Sequence, residues 1–213
     1  MELKGTKMNF IGDSITVGHT LENQEADVFW GVLGRETGAI VRGYGIGGTR
    51  IAKQLNETGD PIWHRYFGSR VDEMDADADV IVVFGGTNDY GHGDAPLGSF
   101  ADRTPDTFYG ACPTMMRSLI EKYPTAVIVV MTPIHRENDL APKLAGVPLV
   151  TYVNIMKETA QYYGLPVLDL FACAGIQPSI PAQKKAFCPD GLHPNDAGNR
   201  RLADRLTAFL LAY

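Results

Sequence analysis

The sequence is short of cysteine, and this shortage excludes two classes of protein. Only three of its 213 residues are cysteines, an odd number that intramolecular disulfides cannot use up. No Cys-x-x-Cys pair occurs, so neither a disulfide-stapled fold nor a zinc site of the usual spacing is indicated. The sequence therefore predicts no bound metal and a reducing compartment. The three cysteines are Cys112, Cys173 and Cys188.

Long apolar runs and an excess of positive charge are missing as well. No stretch is long enough to span a bilayer, and residues 1–7 are too polar for the apolar centre of a signal peptide. Acidic residues outnumber Lys and Arg by 25 to 19, giving a net charge of −6, which argues against a nucleic-acid surface. We therefore expect a cytoplasmic protein that acts on a small molecule, with no membrane or nucleic-acid partner. The oligomeric state is not indicated.

Apolar runs of strand length alternate with amphipathic helical patterns along the whole chain. The unbroken run Val80–Phe84 is typical of a strand that is buried on both faces of a parallel sheet. The alternation predicts an α/β fold, a three-layer α/β/α sandwich built on a five-stranded parallel, doubly wound sheet. The length fits a single domain over residues 1–213. The strands are predicted over residues 7–11, 39–42, 80–84, 126–131 and 165–168.

Glycine-rich segments follow the second and third predicted strands. Gly43-Tyr44-Gly45-Ile46-Gly47-Gly48 is expected to end the second strand, because glycine weakens a strand interior. Residues 85–103 are expected to form a long loop, and Thr104-Pro105 to start the next helix with a cap and a first-turn proline. The carboxyl ends of parallel strands face one edge of the sheet, so these loops are predicted to meet there.

Five residues near that edge could together perform acyl transfer. Ser14 follows the first strand, but a serine hydroxyl becomes a nucleophile only with a base for its proton and donors for an oxyanion. The Asp-x-x-His spacing of Asp190 and His193 lets one bend hold the carboxylate against the imidazole, leaving the other ring nitrogen for the serine. Gly48 and Asn88 could supply a backbone N–H and an amide. Taken singly, each can be an ordinary turn or cap residue, and a bare Gly-Asp-Ser favours a polar turn over a nucleophile.

Four segments, in their order along the chain, resemble the sequence blocks of the SGNH hydrolases, also called GDSL-type lipases and acylhydrolases. The resemblance covers nearly the whole chain and implies a serine esterase of flavodoxin-like fold that needs no cofactor. It implies Ser14 as nucleophile, His193 as base and Asp190 as its carboxylate partner. The oxyanion donors would be the backbone N–H groups of Ser14 and Gly48 and the side chain of Asn88. The segments are Gly12-Asp13-Ser14-Ile15-Thr16, Gly45-Ile46-Gly47-Gly48, Gly86-Thr87-Asn88-Asp89 and Asp190-Gly191-Leu192-His193-Pro194.

Other interpretations have weaker support. Residues 43–48 match the G-x-G-x-x-G pattern of dinucleotide-binding oxidoreductases, but residues 49–61 lack the helical pattern that should follow. The Gly-x-Ser-x-Gly elbow of α/β-hydrolases does not occur. A carbohydrate-binding module of the same fold without activity is disfavoured by the presence of both Ser14 and His193. One departure from the family is Gly43, where an asparagine is frequent.

The predicted site loops carry many polar side chains, which favours a small polar ester, such as an acetylated carbohydrate, over a lipid. A short-chain lipase, lysophospholipase or thioesterase is the alternative. Aromatic side chains could stack on a sugar ring or pack in the core; these are Trp63, Tyr66, Phe67 and Tyr90. The polar candidates are His92, Asp94, His135, Arg136, Glu137 and Asp139.

Overall fold

Five strands of the described chain form one parallel sheet in the order β2-β1-β3-β4-β5. The computed structural model describes residues 1–56 and 59–213. This strand order is that of flavodoxin-like doubly wound sheets, so the predicted fold class is confirmed. The strands are β1 (Lys7–Gly12), β2 (Ile40–Gly45), β3 (Val80–Phe84), β4 (Val127–Met131) and β5 (Val167–Leu168).

Helices cover both faces of the sheet, because successive strand residues point to opposite sides. One core contains Val80, Val82 and Phe84 and packs against helices at residues 29–37 and 196–211. The other contains Ile81 and Val83 and packs against helices at residues 108–122 and 149–162. No helix in the described residues is long and apolar enough to cross a membrane. The helices are α1 (Ser14–Val17), α2 (Gln24–Asp27), α3 (Phe29–Thr37), α4 (Thr87–His92), α5 (Phe108–Lys122), α6 (Leu149–Tyr162), α7 (Leu170–Cys173), α8 (Pro181–Phe187) and α9 (Asp196–Leu211), with 3-10 turns at Pro61–His64 and Phe67–Glu73.

The second strand continues through its glycines, so the prediction that it ends before Gly43 is wrong. Gly43 pairs with Phe10 of β1. A β-carbon at Gly43 would lie 2.4 Å from the Trp30 ring, and that indole is held in place by its N–H, which donates to the Thr16 carbonyl at 2.8 Å. Glycine therefore admits a close aromatic neighbour here. The same contact leaves no room for the asparagine that the family often has.

Residues 85–103 do not form one loop, because α4 follows β3 almost directly. This helix has no apolar stripe, yet Thr87, Asn88, Asp89 and Tyr90 are buried in it. The predicted start of α5 is also wrong. Thr107, not Thr104, caps that helix, and its hydroxyl accepts from the backbone N–H of residue 110 at 3.0 Å.

Candidate active site

The carboxyl ends of the strands lie level, and their loops meet around one cleft. Gly12 at the end of β1 pairs with both Gly45 and Phe84, and Phe84 pairs with Met131. Beyond this edge lies an open cleft of about 680 Å³. It is lined by Ser14, His19, Gly47, Gly48, Arg50, Trp63, Asn88, His92, Arg136, Leu192 and His193.

Ser14 is the first residue of the one-turn helix α1 and reaches the cleft directly after β1. The Asp13 side chain caps this helix by accepting from the Ile15 N–H at 2.9 Å. The Ser14 hydroxyl lies 2.9 Å from Nε2 of His193. The strand, turn and helix thus place the serine oxygen beside an imidazole, as the sequence predicted.

His193 lies between Ser14 and Asp190. Its Nδ1 is 2.6 Å from Asp190 Oδ2, while Asp190 Oδ1 accepts from the backbone N–H groups of Leu192 and His193 at 2.8 and 2.7 Å. Burial works to raise the pKa of Asp190, but these hydrogen bonds outweigh it and hold the pKa below its ordinary value. The ionised carboxylate can only accept, so Nδ1 carries a proton and, in the neutral ring, Nε2 accepts from the serine.

The loop that carries His193 is hydrogen-bonded to residues that lie far apart in the chain. The Pro194 carbonyl accepts from the Thr20 hydroxyl at 3.1 Å and from the buried Asn199 amide at 2.8 Å. Asn199 also accepts from the Phe29 N–H at 3.1 Å, which ties α9 to the start of α3. These contacts fix where the imidazole stands relative to Ser14.

Gly48 lies in a turn that only glycine adopts readily. Its φ is +77°, and a β-carbon there would lie 3.0 Å from the Trp63 ring. A β-carbon on the preceding Gly47 would be 3.8 Å from the Ser14 β-carbon, so this turn faces the serine. Within residues 1–56 and 59–213, the N–H groups of Ser14 and Gly48 have no hydrogen-bond acceptor. Both residues line the cleft, so these two N–H groups are candidate donors to a bound ligand.

Asn88 is oriented by a chain of polar contacts from Arg50 through His92. Arg50 Nη2 lies 2.7 Å from His92 Nδ1, and His92 Nε2 lies 3.2 Å from Asn88 Oδ1. A guanidinium only donates, so Nδ1 accepts and Nε2 carries the proton that it donates to Asn88. Desolvation of the ring and the charges of Arg50 and Arg136 lower the pKa of His92 to about 4, which keeps it neutral. The Asn88 amide nitrogen donates to the Thr49 carbonyl at 3.0 Å and keeps a second N–H.

Two buried carboxyl groups support the loops around the serine. Asp89 accepts from the backbone N–H groups of Ile51 and Ala52, both at 2.9 Å, and so fastens the segment after Gly48 to α4. Burial raises the pKa of Asp89 to about 6 and that of Asp13 to about 7. Among the described residues, Oδ2 of Asp13 has no hydrogen-bond partner.

Arg70 holds the strand ends together beneath the cleft. The side chain is buried, and its guanidinium donates to the carbonyls of Gly12 and Tyr44 at 3.1 and 2.7 Å and to the Thr49 hydroxyl at 3.2 Å. One side chain therefore joins the ends of β1 and β2 to the turn that carries Gly48.

The predicted site residues Ser14, Gly48, Asn88 and His193 all line the cleft, but the sequence did not indicate the groups that position them. His92 lies four residues after Asn88, on the same side of a helix, and this signal was missed because α4 was read as a loop. Arg50, a lone arginine after a glycine run, gave no signal. Of the candidate aromatic residues, Tyr90 and Phe67 are buried in the core, whereas Trp63 lines the cleft.

The polar residues predicted around the site also form two groups: some line the cleft, and the others are bonded to neighbouring side chains or backbone groups. His92 and Arg136 line the cleft. His135 is bonded to Asp139 at 2.6 Å, and Glu137 to Lys184 at 2.7 Å. Asp94 accepts from the backbone of residues 55 and 56. In the part of the chain that the structure describes, no three His, Cys, Asp or Glu side chains are grouped to hold a metal ion.

The chain was compared with known families, curated proteins and solved structures. The model of the GDSL-like lipase/acylhydrolase family matches residues 10–201. No curated protein matches. One crystal structure is 33% identical, with a TM-score of 0.88 and coverage of 100% of this chain and 99% of the other. A protein from Lactobacillus plantarum is 29% identical, with a TM-score of 0.85 over 99% and 98% of the two chains.

A third structure extends the likeness of fold to a protein named for its activity. The lipase/acylhydrolase from Enterococcus faecalis is 21% identical, with a TM-score of 0.66 over 97% of this chain and 96% of that one. The match of the family model takes in nearly every element described above, from the end of β1 into α9. The chain belongs to the GDSL-like lipase/acylhydrolase family and is an ester hydrolase.

Proposed function

We propose that the chain is a serine esterase in which Ser14 is the nucleophile, His193 the general base and acid, and Asp190 the group that orients the imidazole. The observation that carries the proposal is the unbroken hydrogen-bonded path from the Ser14 hydroxyl through His193 to Asp190, with distances of 2.9 and 2.6 Å. Ser14 and His193 line the cleft, which is large enough to admit an ester. The arrangement supplies each part that nucleophilic acyl transfer needs.

The proposed reaction has two halves. Ser14 Oγ attacks the ester carbonyl carbon while His193 Nε2 takes the serine proton, and the carbonyl oxygen becomes an oxyanion. The N–H groups of Ser14 and Gly48 and the Asn88 amide donate to that oxygen. The intermediate collapses to an acyl-serine, and the alcohol leaves with the proton from His193. A water molecule then attacks the acyl-serine while His193 takes its proton. The acid is released, and His193 returns the proton to the serine oxygen.

We further propose that the substrate is a small polar ester such as an acetylated carbohydrate. Trp63 is 43% exposed and lines the cleft, where a sugar ring could stack against its indole. Seven of the other ten lining residues have polar side chains, including His19, Arg50 and Arg136. Polar groups and one aromatic face suit a hydroxylated alcohol portion better than an acyl chain of many carbons.

A short-chain lipase, lysophospholipase or thioesterase is the second candidate, and one observation favours it. Leu140 and Leu144, in the loop between β4 and α6, are 78% and 74% exposed. The same loop supplies Arg136 to the cleft, and exposed leucines on such a loop could contact aggregated substrate. Neither leucine lines the cleft itself.

The assignment of the nucleophile is tested by Ser14→Ala. We expect hydrolysis of p-nitrophenyl acetate to fall by roughly a thousandfold or more, because the acyl-enzyme cannot form. A fluorophosphonate should label the wild-type protein at Ser14, as read by peptide mass spectrometry, and leave the variant unlabelled. Hydrolysis by Ser14→Ala at the wild-type rate would refute the proposal.

The substrate class is tested by varying the acyl chain. We expect kcat/KM to be highest for p-nitrophenyl acetate and to fall through butyrate, octanoate and palmitate, with acetate released from acetylated oligosaccharides. A preference for octanoate or longer chains, with no acetate from the sugars, would favour the lipase and thioesterase candidates instead.

A further inference from the structure

Two arginine side chains in the wall of the cleft have no anionic partner. Arg50 is only 9% exposed, and Arg136 is half-buried. Within residues 1–56 and 59–213, no carboxylate oxygen lies within 4.0 Å of either guanidinium. Buried arginines are rare unless they are paired. The pair is notable in a chain whose net charge is −6.

The groups that these arginines do contact are neutral. Arg50 donates to the Trp63 carbonyl at 3.3 Å and to His92, and its Nε is buried with no acceptor in the described residues. Arg136 donates through Nη1 to the carbonyl and hydroxyl of Thr87 at 3.1 and 3.3 Å. Its Nε and Nη2 have no acceptor in the described part of the chain. Neutral acceptors satisfy only single N–H groups. The carboxylates whose charges reach Arg50 are Asp89 and Asp94, and both are bound to backbone N–H groups rather than to the guanidinium.

The acidic groups whose charges reach Arg136 are already engaged. Asp190 binds His193, and Asp139 binds His135 at 2.6 Å. Asp13 lies under the serine, where it accepts from a backbone N–H. Desolvation lowers the pKa of both arginines, so burial opposes their charge while no carboxylate contacts them. An anion that enters the cleft would meet two positive charges and unused donors.

We propose that Arg136, together with Arg50, binds an anionic group on the alcohol portion of the substrate, such as the carboxylate of an acidic sugar. This rests on the proposed esterase function, because an acetyl group has no charge of its own and the anion must then belong to the alcohol. A guanidinium with free N–H groups binds a carboxylate through charge-assisted hydrogen bonds. Trp63 would contact the ring, and the arginines the charged substituent.

A competing role for these arginines is to stabilise the oxyanion of the transition state. Stabilisation of the oxyanion would raise the rate of hydrolysis of every ester alike, whether or not its alcohol is charged. Selection of an anionic alcohol acts on charged esters alone. A matched pair of substrates therefore separates the two.

The test compares 4-acetoxybenzoate with the neutral 4-acetoxybenzamide, each rate divided by its rate of hydrolysis by hydroxide. We expect wild-type kcat/KM to favour the anion by about tenfold, the size of one charge-assisted hydrogen bond. Arg136→Gln should remove most of this preference by raising KM for the anion. Arg117→Gln removes the same charge from a 71% exposed side chain outside the cleft and should keep the wild-type preference.

Binding without turnover gives a second measurement. In calorimetric titrations we expect the wild type to bind 4-hydroxybenzoate more tightly than 4-hydroxybenzamide and Arg136→Gln to lose the difference. That result supports the anion site even if neither ester is hydrolysed, in which case only the proposed reaction fails. Equal wild-type kcat/KM for the two esters, or an equal loss on both in Arg136→Gln, would overturn the anion site while leaving the esterase proposal standing.

Discussion

At the scale of single residues, the direction of the Asn88 amide is set by its neighbours. Asn88→Ala removes one proposed oxyanion donor, and we expect kcat to fall by roughly a hundredfold or more with little change in KM, because the contact forms mainly in the transition state. Steady-state kinetics on p-nitrophenyl acetate measure both constants. An unchanged kcat would mean that Asn88 only caps its loop.

His92 should influence kcat without touching the substrate's reacting atoms. In His92→Ala the Asn88 carbonyl loses its donor, and we expect kcat to fall by about tenfold because a free amide can rotate away from the oxyanion. His92→Gln offers an amide N–H in its place and should recover part of the rate. If the alanine and glutamine variants behave alike, the contact with Asn88 has no positioning role.

The sequence could predict which residues lie close together when those residues directly follow the ends of strands. Ser14, Gly48, Asn88 and His193 were predicted to converge, and they line one cleft with Asp190 behind the histidine. Their convergence follows from parallel strands, whose carboxyl ends must share an edge. The support given by Arg50 could not be predicted, because it depends on a contact across 42 residues that no local pattern encodes.

At the scale of elements, Asp89 connects α4 to the segment that follows Gly48. Asp89→Ala leaves the N–H groups of Ile51 and Ala52 without their acceptor, and we expect a loss of about 1–3 kcal/mol in the free energy of unfolding. Because the two elements that carry the proposed oxyanion donors Gly48 and Asn88 are then no longer joined, kcat should fall as well. Urea unfolding and steady-state kinetics measure the two effects.

Asp94 offers the matched control for Asp89. It accepts from two successive backbone N–H groups, those of Leu55 and Asn56, at 2.8 and 2.9 Å, but these groups are exposed. Asp94→Ala should therefore cost less stability and leave kcat unchanged. Equal kinetic losses in both variants would show that Asp89 has no special link to the site.

Helices and strands could be predicted from the sequence where their apolar residues follow a clear periodic pattern. All five strands were predicted, most clearly β3 and β4, which are unbroken apolar runs. The amphipathic helical patterns between the strands correspond to helices such as α3, α6 and α9. The helix α4 was missed because its buried residues are held by polar contacts rather than by an apolar face. The end of β2 was misjudged because the reason for Gly43, the Trp30 ring, lies elsewhere in the chain.

At the scale of the whole molecule, two buried carboxyl groups make stability depend on pH. The pKa values of Asp13 and Asp89, about 7 and about 6, exceed the 3.8 of an exposed aspartate, so the folded state holds protons that the unfolded chain releases. Their stabilisation is complete below pH 4 and is lost as the pH rises to about 7. His92, whose pKa is lowered to about 4, contributes stability that rises with pH and so offsets part of this loss. We expect the free energy of unfolding to show a net fall of a few kcal/mol across this interval, since one pKa unit is worth about 1.4 kcal/mol.

Urea unfolding at a series of pH values from 4.5 to 7.5 measures this dependence, and Asp13→Asn isolates its larger part. The amide cannot ionise, while its oxygen can still accept from the Ile15 N–H, so the decline with pH should become shallower. A wild-type stability that stays constant or rises across the interval, or the same slope in the variant, would contradict the prediction.

Ser14 and His193 touch although 179 residues separate them along the chain. A ribosome therefore adds the proposed nucleophile 179 residues before its base, and Asn199 can fasten α9 against α3 only after that. The growing chain therefore cannot hold the complete proposed site until residues 190–199 have been added. Refolding follows the same logic: the burial of Trp30 can precede hydrolysis, but hydrolysis cannot precede the docking of the loop and helix around His193.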